Sequence, residues 1–137
     1  MHRVLVVAAV PAACLVLATA AFAAVIRGDS GPDVLHGTAG ADQMYGFGGA
    51  DRLTGRGGSD VIYGSSGADR LYGGSGSDTL YGGSGADRIT GGSGSDRISA
   101  GSGADRVYAR NGGRDVIDCG SGNDSAQTDA MDIVKDC

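Results

Sequence analysis

An aspartate recurs at nearly every ninth position of this 137-residue chain, and this period limits the fold more than any other feature. Glycine stands two residues before each of these aspartates, and in all but the last repeat a large apolar side chain stands two residues after it. Self-similarity at a short fixed period predicts a solenoid, in which each repeat buries its apolar side chain only by stacking on its neighbours. The repeated aspartates are Asp33, Asp42, Asp51, Asp60, Asp69, Asp78, Asp87, Asp96, Asp105, Asp115 and Asp124.

Each repeat divides into a turn and a short strand. In residues 73–81, the first six residues are Gly, Ser and Asp, which favour turns with unusual backbone angles. Thr79, Leu80 and Tyr81 follow as a strand fragment with one inward apolar side chain. Two turns bring the chain full circle, so the pattern predicts an all-β, parallel β-roll or β-solenoid of stacked nonapeptide turns with two repeats per coil. The inward residues would be Leu35, Leu53, Leu71, Ile89 and Val107 on one sheet, and Met44, Ile62, Leu80 and Ile98 on the other.

Stacking places the aspartates of each edge in a column that repels itself. Parallel strands lie about 4.8 Å apart, and like charges at that distance repel by about 1 kcal/mol even in water. Carboxylates beside backbone carbonyls form an oxygen-only ligand set, which suits Ca²⁺ better than Mg²⁺ or Zn²⁺. All 16 acidic residues are Asp, whose short stem keeps the carboxylate close to the turn's own backbone. The sequence therefore predicts that several Ca²⁺ ions complete the fold.

Composition argues against two other classes of function. The net charge of −5 offers no evident basic patch to neutralise phosphates, so we do not expect a nucleic-acid partner. His36 is the only histidine after the N-terminal segment, which leaves no Ser-His-Asp or Cys-His set for catalysis. We therefore do not expect an enzyme.

Residues 73–81, 82–90 and 91–99 match Gly-Gly-x-Gly-x-Asp-x-(large apolar)-x at every specified position. The chain thereby resembles the RTX, or hemolysin-type, calcium-binding nonapeptide-repeat family, and the resemblance extends roughly from Gly28 to Gln127. It implies Ca²⁺ between the turns of successive coils, shared by aspartates of adjacent coils. One edge would pair Asp51 with Asp69, Asp69 with Asp87 and Asp87 with Asp105, and the other Asp42 with Asp60, Asp60 with Asp78 and Asp78 with Asp96. The implied metal residues are Asp33, Asp42, Asp51, Asp60, Asp69, Asp78, Asp87, Asp96, Asp105, Gly74, Gly76, Gly83, Gly85, Gly92 and Gly94.

Some repeats depart from this pattern. The second glycine is replaced by Asp29, Thr38, Phe47, Arg56 and Ser65 in the early repeats. If those backbones need positive φ, the outer sites should bind more weakly than the central ones. A ten-residue step leads from Asp105 to Asp115. The extra residue in Ala109–Asp118 is expected to break the register of the repeats, so we do not expect a full site between Asp96 and Asp115.

Residues 1–23 are predicted to be a secretory signal peptide. A basic start is followed by an apolar run and by Ala21-Phe22-Ala23, which fits the small-x-small rule for cleavage. The mature chain would begin at Ala24, be secreted, and keep no membrane span. A membrane anchor is an alternative, since residues 4–26 are long enough to cross a bilayer. A lipoprotein modified at Cys14 is another, although Leu is missing three residues before it.

Two cysteines follow the signal segment. In an oxidising compartment, Cys119 and Cys137 are expected to form a disulfide, since a metal pair or a reactive thiol lacks CxxC spacing or a nearby His. Such a bridge stabilises by about 3 kcal/mol in the chain-entropy model. We expect residues 28–108 to form the regular β-roll, and residues 109–137 to form irregular repeats and a disulfide-tied C-terminal cap.

The predicted function is that of a secreted calcium-binding protein that folds when Ca²⁺ binds. An alternative is a cell-surface adhesion or matrix-interaction module, with calcium only structural and an unidentified glycan or surface protein as partner. This alternative would use the outward-facing rows of Arg and Tyr side chains, which also have simpler explanations. The Arg charges would discourage edge pairing, and the Tyr rings would pack against one another across strands. Tyr63 and Tyr81 are predicted to share one sheet, and Tyr45, Tyr72 and Tyr108 the other. Ice binding and a disordered linker fit the pattern less well. The outward rows comprise Arg52, Arg70, Arg88, Arg97, Arg106, Tyr45, Tyr63, Tyr72, Tyr81 and Tyr108.

Overall fold

The computed structural model describes residues 5–7, 22–111 and 113–137, and every regular element in these ranges is a β-strand. Most of the predicted signal peptide, residues 1–4 and 8–21, lies outside the described residues. Within the described part, no helix is long and apolar enough to span a membrane. The strands are β1 Leu5–Val7, β2 Ala24–Arg27, β3 Val34–His36, β4 Gln43–Phe47, β5 Arg52–Arg56, β6 Val61–Ser66, β7 Arg70–Ser75, β8 Thr79–Ser84, β9 Arg88–Ser93, β10 Arg97–Ser102, β11 Arg106–Tyr108, β12 Val116–Asp118, β13 Ser125–Gln127 and β14 Ile133–Lys135.

The strands form two parallel sheets between which the chain alternates. One has the order β1-β2-β4-β6-β8-β10-β12-β14, and the other β13-β11-β9-β7-β5-β3. From β2 to β11, each strand pairs with the strand one coil away, in a register of eighteen residues such as Leu53 with Leu71. The predicted β-solenoid with two repeats per coil is confirmed.

The core is two rows of apolar side chains, one from each sheet. The inward residues of the two predicted rows are all buried, at most 3% exposed, and each row lies on its predicted sheet. Ile26 extends the core at one end and Ile117 at the other. Each repeat thus contributes one large side chain, and a coil has a core only because its neighbours cover it.

Strands in the middle of the solenoid are longer than the sequence pattern predicts. β7 runs for six residues, Arg70–Ser75, because pairing continues from its apolar residue into the glycines of the next repeat. Gly74 pairs with Gly92, and Ser75 with Ser93. The first half of each nonapeptide is therefore partly strand, and the sharp bend is confined to the residues just before Asp.

The tyrosine rows differ from the prediction. Tyr45, Tyr63 and Tyr81 lie in register on one sheet, with ring centroids 5.1 Å and 4.9 Å apart between neighbours. Placing Tyr45 with Tyr72 and Tyr108 was wrong, because its strand, β4, belongs with β6 and β8.

The C-terminal coil is tied by the predicted disulfide. Cys119 and Cys137 are bonded, with their Cα atoms 4.9 Å apart. Cys119 is buried against the core, and Cys137 follows β14, which pairs with β12. The bridge therefore fastens the last strand to the coil beneath it.

Candidate metal centre

The repeated aspartates point into the turns and form two continuous hydrogen-bonded columns. In each column, the Oδ1 atom of one aspartate accepts a hydrogen bond from the backbone N–H of the aspartate one coil earlier. The distance is 2.8 Å from Asp69 N to Asp87 Oδ1, and 2.9 Å from Asp51 N to Asp69 Oδ1. Asp33 and the ten aspartates from Asp42 to Asp124 are stacked as the repeat predicts. The short Asp side chain is required here, because its carboxylate must reach a specific main-chain amide.

The ten-residue step does not interrupt these columns. Asp96 N donates to Asp115 Oδ1 and Asp105 N to Asp124 Oδ1, both at 2.8 Å. Strand pairing also resumes, with Ile98 opposite Ile117. The extra residue is accommodated between β11 and β12, so the expected break in register was wrong. That no full calcium site forms between Asp96 and Asp115 stays a prediction.

The second carboxylate oxygen is left without a hydrogen-bond donor in most turns. Buried polar atoms almost always have a partner, so a repeated exception among the described residues marks oxygens that are suited to bind a cation. An unpartnered buried charge is also expensive, because it has lost its hydration. The unpartnered atoms are the Oδ2 atoms of Asp51, Asp60, Asp69, Asp78, Asp87, Asp96, Asp105, Asp115 and Asp124.

In the turns of Asp51, Asp60, Asp69, Asp78 and Asp87, this oxygen shares the space beside a glycine with a main-chain carbonyl of the next coil. A methyl group built on Gly64 would lie 2.6 Å from Asp69 Oδ2 and 2.7 Å from Gly82 O. A methyl group on Gly82 would lie 2.7 Å from Asp87 Oδ2 and 2.5 Å from Ala100 O. Glycine thus lets carboxylate and carbonyl oxygens converge, and an oxygen-only set is what a hard cation such as Ca²⁺ prefers.

The pKa values of the aspartates show the cost of this arrangement without a cation. Burial raises the pKa of Asp60, Asp87 and Asp96 to about 7, against the lowering effect of the main-chain hydrogen bond that each accepts. Carboxylates in the adjacent coils raise these values further, Asp69 and Asp105 acting on Asp87. Burial likewise raises the pKa of Asp51 and Asp78 to about 6. A bound cation would lower these pKa values, because it favours the charged form of the carboxylate.

Backbone conformation separates the turns into two kinds, apart from the turn before Asp115, which contains residue 112 and so lies partly outside the described residues. In the eight turns that precede Asp51, Asp60, Asp69, Asp78, Asp87, Asp96, Asp105 and Asp124, the second and fourth residues both have positive φ. We call these open turns, because the aspartate keeps an unpartnered Oδ2. Positive φ is confirmed even where the second residue is not glycine, at 74° for Phe47, 84° for Arg56 and 81° for Ser65.

The first two turns are closed. Asp29 N donates to Asp33 Oδ2 at 2.7 Å, and Thr38 N donates to Asp42 Oδ2 at 2.6 Å. Neither Asp29 nor Thr38 has positive φ, so their amides turn inward and satisfy the oxygen that open turns leave free. The sequence missed this distinction, since all five replacements of the second glycine look alike as departures from the repeat. That Asp33 and Asp42 bind metal stays an untested prediction, and their engaged Oδ2 atoms argue against it.

The ligands of an ion cannot be carboxylates alone. Among the described residues, no three His, Cys, Asp or Glu side chains converge on a point that could hold a metal. An ion between coils would therefore combine carboxylates with main-chain carbonyls, which is what the glycine-rich turns present. The geometry fits calcium and not zinc.

The comparison with protein families agrees with this geometry. The family model for the RTX calcium-binding nonapeptide repeat matches four segments, residues 22–46, 45–80, 81–112 and 90–126. The chain belongs to the RTX calcium-binding repeat family. RTX repeats are structural calcium-binding units and not a known enzyme family. Searches of curated proteins and of solved structures gave no match.

The outward face of the six-stranded sheet carries a column of arginines. Arg52, Arg70, Arg88 and Arg106 are in register on neighbouring strands, and all are exposed. The expectation of no basic patch rested on the net charge of the whole chain. That charge does not describe this surface, because ten of the repeated aspartates are buried.

Proposed function

We propose that this RTX repeat protein is exported and folds when Ca²⁺ binds between its stacked turns. The observation that carries the proposal is the repeated buried Oδ2 atom with no donor, beside a carbonyl of the next coil. A cation there removes both the desolvation cost and the repulsion within the column. Binding and folding are then one event, because the oxygens converge only when coils stack.

The open turns supply the ligands in this proposal. Main-chain amides hold each Oδ1, which fixes the direction in which Oδ2 points. Bound calcium would supply the positive charge, and the chain would hold the ligand oxygens in place. The closed turns at Asp33 and Asp42 would form a metal-free end of the array, because their Oδ2 atoms already accept hydrogen bonds.

Far-UV circular dichroism of the exported protein tests coupled folding. We expect a disordered spectrum in EDTA and a β-rich spectrum as Ca²⁺ is added to millimolar concentration. Mg²⁺ should restore the spectrum poorly, since it demands a stricter octahedron and keeps its waters. A spectrum that is β-rich in EDTA, or disordered in calcium, would contradict the proposal.

Counting bound ions tests which turns bind. Asp87→Asn should lower the number of Ca²⁺ ions bound per chain, measured by metal analysis after gel filtration in micromolar calcium. Asp33→Asn removes the same charge from a closed turn and should leave that number unchanged. Asp136→Asn is the control for an exposed carboxylate. Equal losses in Asp87→Asn and Asp33→Asn would contradict the assignment of open and closed turns.

A second candidate function is recognition of an acidic polysaccharide by the six-stranded sheet. Tyr72 and Tyr108 line a groove together with Arg52, Arg70 and Arg88. Both ion pairs among the described residues involve Lys135, so these guanidinium groups have no carboxylate partner there. On the other sheet, Tyr63 is stacked on Tyr45 and on Tyr81, which covers the ring faces that a sugar would use.

An array of uronic-acid and sulfated glycans tests this second candidate. We expect the calcium-loaded protein to bind acidic glycans, and Arg70→Ala and Tyr72→Ala to weaken that binding at least fivefold. Arg97→Ala, on the opposite sheet, is the matched control. Binding retained by both test variants would refute this candidate and leave calcium-dependent folding untouched.

A further inference from the structure

Ala24 takes the place of an aspartate in the coil that precedes Asp42. It lies eighteen residues before Asp42, and its backbone N donates to Asp42 Oδ1 at 2.8 Å. The backbone amides of the repeated aspartates make the same hydrogen bond throughout both columns. The column that contains Asp42 therefore begins at a main-chain nitrogen with no carboxylate of its own.

The carboxylate of Asp42 has hydrogen-bond donors but no counter-ion. It is 1% exposed, and both of its oxygens are engaged. Thr38 N lies 2.6 Å from Oδ2, and the Thr38 hydroxyl lies 2.9 Å from Oδ1 and 3.1 Å from Oδ2. These donors are neutral, and no ion pair among the described residues reaches Asp42. A buried charge in this state is costly unless a positive charge is brought to it.

We propose that hydrolysis of the Ala23–Ala24 peptide bond supplies this positive charge. Water adds across the bond, Ala23 leaves as a carboxylate, and the amine of Ala24 takes up a proton to become an ammonium. The Ala21-Phe22-Ala23 sequence fits a peptidase of small-x-small specificity acting on the unfolded chain during export. The inference thus rests on the proposed export. The nitrogen released is the atom that already lies against Asp42 Oδ1.

Processing also changes the partner available to Thr38. In the full chain, the Thr38 hydroxyl lies 2.8 Å from Phe22 O, so its one proton has a competing acceptor. Removal of residues 1–23 leaves that proton to Asp42. The ammonium and the hydroxyl then both donate to one carboxylate, and a charge-assisted pair replaces an amide hydrogen bond. The N-terminal end of this column is closed by the chain's own terminus without metal.

Chemical labelling of the exported protein tests the pairing. The full-length gene is expressed in an exporting host, and intact mass identifies the first residue of the secreted product. The product is then treated with an acetylating ester at pH 7 in calcium. A chain that starts at Ala24 has two kinds of amine, its terminus and the side chain of its single lysine, Lys135, which is 68% exposed. A free α-amine reacts faster than lysine at pH 7, since its pKa is about 7.7–8.0 against about 10.4.

In the folded protein we expect the Ala24 amine to react more slowly than the Lys135 side chain. The Ala24 amine should be acetylated at least tenfold more slowly than in the same protein unfolded by urea and EDTA, while the rate at Lys135 changes little. Asp42→Asn should restore most of the rate at Ala24. Asp33→Asn, in the closed turn of the opposite edge, should not.

Two results would overturn the inference. A secreted product that starts at a residue other than Ala24 removes the ammonium from this position. A product that starts at Ala24 but is labelled equally fast when folded and unfolded rules out the pairing while leaving export and calcium-dependent folding intact. The comparison of folded and unfolded wild type stands even if Asp42→Asn does not fold.

Discussion

At the scale of the residue, one Asp side chain has two functions in each open turn. Its Oδ1 is an acceptor for the main-chain amide of the preceding coil, and its Oδ2 has no hydrogen-bond donor and is the atom proposed to bind the cation. Glutamate has the same charge but one more rotatable bond, so it would hold its two carboxylate oxygens less rigidly in these positions than Asp does. The repeated choice of Asp therefore follows from stacking as well as from the proposed metal binding.

The residues that replace the second glycine give a prediction at this scale. Ser65 has a φ of 81°, a left-handed conformation that costs a residue with a Cβ about 1–2 kcal/mol. Ser65→Gly should raise the free energy of unfolding in calcium by about 1 kcal/mol, measured by urea denaturation. Thr38→Gly is the matched comparison, and it should destabilise because Thr38 is not left-handed and its hydroxyl contacts Asp42. Stabilisation of both variants to the same degree would contradict the distinction between open and closed turns.

At the scale of the element, strand and turn are not separate parts of the repeat. Pairing runs from the apolar residue into the following glycines, so each turn begins within a strand and inherits its register. This continuity carries the columns past the ten-residue step, because strand pairing resumes at Arg97 with Val116. The carboxylate columns are consequently coupled along the whole stack, and their ionisation affects every coil.

This coupling predicts an unusual pH dependence without metal. The pKa values of Asp60, Asp87 and Asp96 are about 7 when the chain is folded, against 3.8 for the ordinary side chain. The folded state thus holds protons that the unfolded chain has released. Stability from these groups is present below about pH 4 and is lost as pH rises to about 7. In EDTA, β-structure measured by circular dichroism should increase on acidification from pH 7.5 to 4.5.

Calcium should give the opposite trend, because the ion binds only ionised carboxylates. Circular dichroism in millimolar calcium should therefore show β-structure decreasing as pH falls below about 5. The same direction of change with and without calcium would show that the column carboxylates do not control stability.

At the scale of the whole molecule, a stack of thin coils needs protected ends. The last coil is fixed by the Cys119–Cys137 disulfide, and the first turns are closed by main-chain amides instead of open for metal. Between these ends, each coil depends on its neighbours for its core and for the hydrogen bonds of its aspartates. We therefore expect loss of one end to destabilise the coil at that end first.

Removal of the disulfide tests this view of the C-terminal end. Cys137→Ser should reduce the free energy of unfolding of the last coil by about 3 kcal/mol. Hydrogen exchange in calcium should show that amides in β12 and β14 lose protection while those in β7 and β8 keep it. Uniform loss of protection through the solenoid would mean that the coils unfold as one unit and that the bridge is not a local cap.

Much of this protein is determined by its sequence because the repeat is so short. A nine-residue period with one apolar residue allows few folds, and the two sheets, the two core rows and the aspartate columns all follow from it. The disulfide followed separately, from the two cysteines after the signal segment. The misplacement of Tyr45 came from assigning it to the wrong alternate repeat. The predicted break at Asp115 came from treating an inserted residue as a change of register.

The tertiary structure alone decided how each turn uses its aspartate. Phe47, Arg56, Ser65 and Thr38 all replace the same glycine, yet only the first three adopt left-handed backbones and leave Oδ2 free. The repeat pattern does not specify this choice, since it is the backbone conformation of the second residue that decides whether its own amide reaches Oδ2. The same holds for Ala24, an ordinary residue in the sequence whose nitrogen the stacking of coils places against a buried carboxylate.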